Sequence, residues 1–385
     1  MTRPKPALWA SLALLSFAAL TAPSVATPSY YGGDDDDDDG PTWTRLKTTG
    51  QGPLNRSKPG AAALGDDVYL FGGLEDDFAA VTNTFFNDLH RFDTDKNKWK
   101  LLTPAGPTPP ARAFTASAAR KKQKEVVFYG GSVFDVTFKV FQVFDDLWVY
   151  SAKDNTWREV QAVNQGPGPR NGATLWTKGS KLYLFGGLTP YFLFTNDLWE
   201  YDFQTNAWTE LIPLFAPGSP PGRDEAYAGQ KPKKGKLTIY GGESLDPGTF
   251  EFVTLEDVWQ LDLDTLTWTE VTPDPEDDID VHGNLGASTV LGNRLYVQGG
   301  DVPGGDSGCG APFPQNDTDA IWEFHLKKHR WREVFPSGDP VPQLKRNVGV
   351  TVDGGFYIFA GFDFECPGGV GPGQIWNNDV FVLRP

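Results

Sequence analysis

The sequence predicts an all-β chain folded as a six-bladed propeller, and three recurring features carry that prediction. A β-branched or aromatic run ends in a glycine pair five times, at Gly73, Gly131, Gly187, Gly242 and Gly300, and a sixth run ends in Ala360-Gly361. A second hydrophobic run then opens with an aspartate: Asp88, Asp146, Asp197, Asp257, Asp319 and Asp379. Tryptophan closes the unit, 11 residues after that aspartate at Trp99, Trp157, Trp208 and Trp268 and 12 after it at Trp331.

Successive second glycines lie 58, 56, 55, 58 and 61 residues apart, so one supersecondary unit repeats along 385 residues. The run before each glycine pair has a short apolar predecessor, such as Gly60 to Leu64 or Asn171 to Trp176, reached through a Pro-rich segment. Four short strands per unit make one blade. The sixth copy ends at Val380-Phe381-Val382-Leu383 without a Trp strand, whereas Trp43-Thr44-Arg45-Leu46 matches Trp99-Lys100-Leu101-Leu102. The N-terminal segment is therefore expected to supply the outer strand of the last blade and close the ring, which protects two sheet edges.

The glycine pair, the aromatic before it, the spaced aspartate and the closing tryptophan together resemble the Kelch family over residues 41–385. Six copies make the resemblance specific for fold. They leave function open, because Kelch propellers serve as protein adaptors and as oxidases alike.

Residues 1–26 read as a signal peptide: Arg3 and Lys5 precede an apolar stretch from Ala7 to Leu20, and Ser24-Val25-Ala26 offers a small-residue cleavage site. The expected location is extracellular, with no membrane span. Removing Arg3 and Lys5 moves the formal net charge from −16 to −18, which argues against nucleic acid as a partner. Residues 27–40, with the run Asp34 to Asp39, read as an acidic, disordered leader. Two cysteines in an oxidising compartment, in equivalent loops of neighbouring blades, suggest a Cys309 to Cys366 disulfide. Asn55-Arg56-Ser57 and Asn316-Asp317-Thr318 are N-glycosylation acceptors in a eukaryotic host.

The two faces of the ring differ in sequence. Turns after first and third strands are short and polar, whereas loops after second strands are long and aromatic. Candidate binding residues on the long-loop face are Phe138, Tyr191, Phe192 and Trp376, and an apolar surface of this breadth marks an interaction site. A basic residue precedes the innermost strand of each copy: Arg112, Arg170, Arg223 and Arg346, with Lys58 and His282 in the others. A ring of guanidinium groups at the channel mouth would bind a carboxylate by forked hydrogen bonds. Ten tryptophans, six closing blades and four in third strands, are assigned to the core.

Resemblance to the plant specifier proteins, Kelch propellers that hold Fe²⁺ through E-x-x-x-D-x-x-x-H, rests on Glu243 and Asp246 after Gly242. One spacer residue is missing, and the nearest histidine is His282. A copper-radical oxidase would need two histidines and tyrosines converging on one face, and the four histidines are scattered. No Ser/His/Asp arrangement, phosphate-binding loop, CxxC or HExxH is present. The sequence therefore reads as a secreted, monomeric binding scaffold without a cofactor, for a protein, peptide or glycan. The alternative is a metal-assisted enzyme on the same face, with Glu243, Asp246 and His282 around a divalent ion.

Overall fold

The computed structural model describes residues 40–77, 80, 82–135, 140–231, 236–249, 251–271, 283–306, 315–365 and 373–385, all within the unit Asp39–Pro385. Six antiparallel four-stranded arrays form the blades of a β-propeller around a channel. Blade 2 is typical: Ala116–Arg120 innermost, then Glu125–Tyr129, Leu147–Ser151 and, outermost, Thr156–Val160. No helix long and apolar enough to cross a membrane occurs among the described residues. The proposed signal peptide and most of the acidic leader lie outside them.

In blade 6 the strands Val348–Val352, Gly355–Phe359 and Val380–Arg384 are followed by Thr42–Leu46, antiparallel to the last of these with Trp43 opposite Leu383. A short parallel bridge adds Ser337–Gly338 outside Thr42 and Trp43. The fourth strand of this blade thus comes from the opposite end of the chain.

The second strands carry consecutive apolar residues, such as Val68 to Phe71 and Val126 to Tyr129, whose side chains point alternately to the two blade faces, so both faces are hydrophobic and the core lies in layers between blades. One contact repeats from layer to layer. The aromatic before the glycine pair packs on the closing tryptophan of the next blade: Phe71 on Trp157 (5.3 Å), Tyr129 on Trp208 (5.5 Å), Phe185 on Trp268 (4.9 Å), Tyr240 on Trp331 (4.6 Å) and Phe359 on Trp99 (5.7 Å). Edge-to-face and tilted geometries of this kind are the favoured aromatic arrangements. Blade 5 breaks the series, because its residue is Gln298. That side chain accepts a hydrogen bond from Asn347 at 2.6 Å, and Trp43 packs on Phe356 of its own blade.

The glycine pair is demanded by backbone geometry. Gly72 and Gly73 have φ of 68° and 101°, and a Cβ on Gly72 would come within 2.5 Å of the Arg112 carbonyl oxygen. The pair turns the second strand into a loop directly against the lead-in to the next blade. Those loops are not irregular: in five blades they form two-stranded hairpins, for example Ser132–Phe134 with Phe141–Val143 and Phe362–Glu365 with Gly373–Trp376. In blade 3 the strands run on as Lys181–Leu188 and Phe194–Asp202 through a bulge.

Candidate interaction site at the long-loop face

The arginines expected to ring the channel mouth have another duty. Arg112, Arg170 and Arg223 are buried and paired within their own blades with Asp146, Asp197 and Asp257, the aspartates that open the third strands. Arg223 donates to Asp257 at 2.6 and 2.7 Å and to the Gly241 carbonyl at 2.9 Å. Arg112 forks onto both oxygens of Asp146, donates to the Gly130 carbonyl at 3.0 Å, and stacks on Phe144. The same aspartates accept the indole N–H of Trp148, Trp199 and Trp259. A basic side chain, an aspartate and a third-strand tryptophan thus clasp lead-in, glycine pair and third strand together. Buried and paired, the guanidinium groups of Arg112, Arg170 and Arg223 do not form a ligand-facing ring.

In blade 1 the clasp belongs to Arg56, with Asp88 and His90. Burial would raise the Asp88 carboxyl, but the bonds from His90 and Arg56 outweigh it and hold the group well below the usual range. Blade 5 has Gly283 and Ala320 at the two positions, so both partners are lost together. Blade 6 keeps Asp379, which pairs with Arg45 from the N-terminal strand, and has Leu344 where the arginine would stand.

Lys58 and Arg346 lie two residues past the clasp position, in a second ring. Lys58, Phe114, Gly172, Glu225, Leu285 and Arg346 all have positive φ, between 46° and 62°. Their backbones form a chain of hydrogen bonds round the axis: Phe114 to Lys58, Gly172 to Phe114, Glu225 to Gly172, Arg346 to Leu285 and Lys58 to Arg346, at 2.6 to 3.1 Å. Holding five side chain-bearing residues left-handed is strained. The ring bonds over-determine that conformation. Lys58 of blade 1 and Glu225 of blade 4, on opposite sides, meet across the axis at 2.5 Å, both nearly buried. Arg346 bonds Asp76 at 2.7 Å.

Beside this plug lies an unbalanced acidic corner. Asp224, 4% exposed, is bridged by backbone to Glu243, and its Oδ1 has no hydrogen-bond partner. Burial, then the neighbouring Glu243 and Glu225, push its carboxyl well above the usual range. Burial and Glu225 raise Glu243 to about 7. Asp246, the other carboxylate of the metal reading, is only partly buried and caps its own hairpin turn by accepting from Gly248 and Thr249 at 2.7 and 2.8 Å. Glu243 and Asp246 therefore serve different structures. His282 lies outside the described residues, and among those described no three acidic, histidine or cysteine side chains are grouped to hold a metal ion.

Aromatic residues form the outer part of the face. Tyr191 is 90% exposed and Phe192, 46% exposed, stacks on Phe141 of the blade 2 hairpin at 5.3 Å. On the other side Phe194 packs at 5.9 Å on Phe252 of the blade 4 hairpin, itself 55% exposed. Val140 and Leu193 extend the ridge, which runs over three blades. By contrast, Leu266 is the one exposed large hydrophobic residue in a turn between third and fourth strands among the described residues. Trp376 is half-buried against Phe362 at 5.1 Å, in a strand and not a free loop. Phe138, Cys309 and Cys366 lie outside the described residues. Asn55 donates to Glu75 and accepts from Asn378, while Arg56 and Ser57 of its acceptor motif are buried; the Asn316 side chain is not among those described.

Ring, clasps and exposed ridge define a β-propeller that presents one aromatic face. The family profile for the KLHDC2/KLHL20/DRC7 Kelch-repeats domain matches residues 37–187 and 79–300. The chain belongs to the Kelch-repeat family. It is 27% identical to human host cell factor 1, over 88% of this chain and 16% of that protein, and 26% identical to acyl-CoA-binding domain-containing protein 5 of Arabidopsis thaliana, over 89% and 48%. It thus spans less than half the length of either relative. Among solved structures it is similar to YjhT, with a TM-score of 0.61 and 19% identity, over 86% of this chain and 96% of that one.

Proposed function

We propose that the chain is a secreted, monomeric binding scaffold that captures an extracellular protein or peptide on its long-loop face. The observation that carries this reading is the ridge from Phe141 through Tyr191, Phe192 and Phe194 to Phe252. The Phe141–Phe192 stack and the Phe194–Phe252 edge contact tie the ridge to both neighbouring blades and pre-organise it, so little freedom of these side chains is lost on binding. Exposed aromatic anchors of this kind dominate interface energetics. Tyr191→Ser with Phe192→Ser should weaken binding of the peptides that the wild type selects from an array by at least tenfold, and leave the melting temperature within a degree or two. Undiminished binding by the double variant would place recognition elsewhere.

Secretion and the Cys309 to Cys366 bridge belong to the same proposal. Support for the bridge comes from the hairpins on either side of the two cysteines, since Gln315–Asp317 of blade 5 adjoins Phe362–Glu365 of blade 6. A thiol titration of the unfolded, unreduced protein is expected to find no reactive thiol. Two per chain would eliminate the bridge.

A further inference from the structure

The channel carries a second feature, on the face opposite the aromatic ridge. Its wall is built from small inner-strand residues, and neighbouring inner strands are tied by hydroxyls: Ser117 donates to the Ala61 carbonyl, Thr177 to Ala119 and Ser288 to Ala228. Behind the Lys58–Glu225 plug this leaves a cavity of about 320 Å³. It shares Ala61, Ser117, Leu175 and Trp176 with a wider cavity of about 570 Å³ at the short-turn mouth.

The wider cavity is bordered by Arg120, Lys121, Lys122 and Lys178. Blades 1, 3, 5 and 6 join their first and second strands through two residues, whereas blades 2 and 4 use four, which in blade 2 are Lys121 to Lys124. Blade geometry does not require the extra length. Arg120 is buried, ion-paired with Glu125 and stacked on Phe203 at 3.5 Å, and Lys178 pairs with exposed Asp264 at 2.7 Å. Lys121 and Lys122 are exposed and, among the described residues, lie within ion-pair distance of no acid. Asp66 and Asp353 stand in the corresponding turns of blades 1 and 6, so among the described turns between first and second strands the run of adjacent lysines belongs to blade 2. In a chain of net charge −16, that is a local reversal of sign.

We propose that the short-turn mouth binds an acidic peptide segment, with its carboxylates on Lys121 and Lys122 and its apolar side chains against Ala61, Ala63 and Val290. Two features favour a peptide over a nucleic acid. The chain's net charge repels a long polyanion, whose binding depends on many phosphate contacts. The wall beneath the lysines is apolar or hydroxylic and suits aliphatic side chains. This site is separate from the aromatic ridge.

Fluorescence anisotropy with a labelled twelve-residue peptide of alternating Glu and Leu tests the assignment on the full propeller. Saturable binding is expected, weakening with added salt. Lys121→Glu with Lys122→Glu should lower the affinity at least tenfold, while Tyr191→Ser with Phe192→Ser leaves it unchanged. Both lysines are in an exposed turn, and an unchanged melting temperature would confirm that the variant is folded. Absence of saturable binding up to millimolar peptide overturns the proposal. So does equal binding of a Gln/Leu peptide, equal affinity of the charge-reversed variant, or tighter, lysine-dependent binding of oligothymidylate, which would make nucleic acid the occupant.

Discussion

Replacing Arg112 by leucine should destabilise the propeller by about 3–5 kcal/mol, the range for removing one partner of a buried ion pair. The substitution strips Asp146 of its forked donor and leaves the Gly130 carbonyl without its guanidinium bond. Removing both charges should hurt far less. Blade 5 is the internal precedent, since Gly283 and Ala320 occupy the two positions and the blade keeps its four strands. Arg112→Leu with Asp146→Leu is therefore expected to recover most of the loss, as hydrophobic replacements of whole buried pairs do. Denaturation curves for the wild type, both single variants and the double variant measure the coupling. Simple addition of the two single losses would mean that the clasp does not act as a unit.

That clasp is also the part of the fold that a single sequence does not disclose. Glycine pairs, strand order and closing tryptophans were legible because each is fixed by local geometry: positive φ at the glycines, alternation along strands and one ring per inter-blade layer. Connections between blades vary in length, and there the alignment of copies slipped. Asp319 was matched to the third-strand aspartates, but Ala320 occupies that position, one residue nearer the strand. Lys58 reads as the basic residue of blade 1, but Arg56 holds the clasp and Lys58 belongs to the axial ring. Arg346 was misassigned in the same way. The basic residues were visible as types, but whether each faces a ligand or an aspartate depends on which residue lies about thirty positions away across the sheet. The aromatic ridge is half legible: Tyr191 and Phe192 stand out in a long loop, while the stack of Phe192 on Phe141 and the edge contact of Phe194 with Phe252 depend on contacts between blades.

Stability should fall as pH rises from about 4.5 to about 7, by roughly 2–3 kcal/mol, because of the acidic corner beside the axial plug. Glu243 is surrounded by Glu225, Asp224 and Asp301 on the acidic side and by Arg346, Lys345 and, through Asp224, Lys58 on the basic side. Burial is the largest influence and Glu225 the next, so the carboxyl is raised to about 7 from an ordinary 4.5. Between those values the folded chain holds a proton that the unfolded chain has released. Stabilisation is therefore complete below about 4.5 and is lost as pH climbs through about 7. Asp224, raised in the same direction, adds to the loss, whereas Asp88, held below its ordinary range, opposes it only in strongly acidic solution. Glu243→Gln keeps the shape and cannot ionise, so it should match the wild type at pH 5 and be more stable at pH 8, with a melting temperature several degrees higher. Melting curves for both proteins at the two pH values decide the matter: an equal decline in wild type and variant would show that some other group titrates.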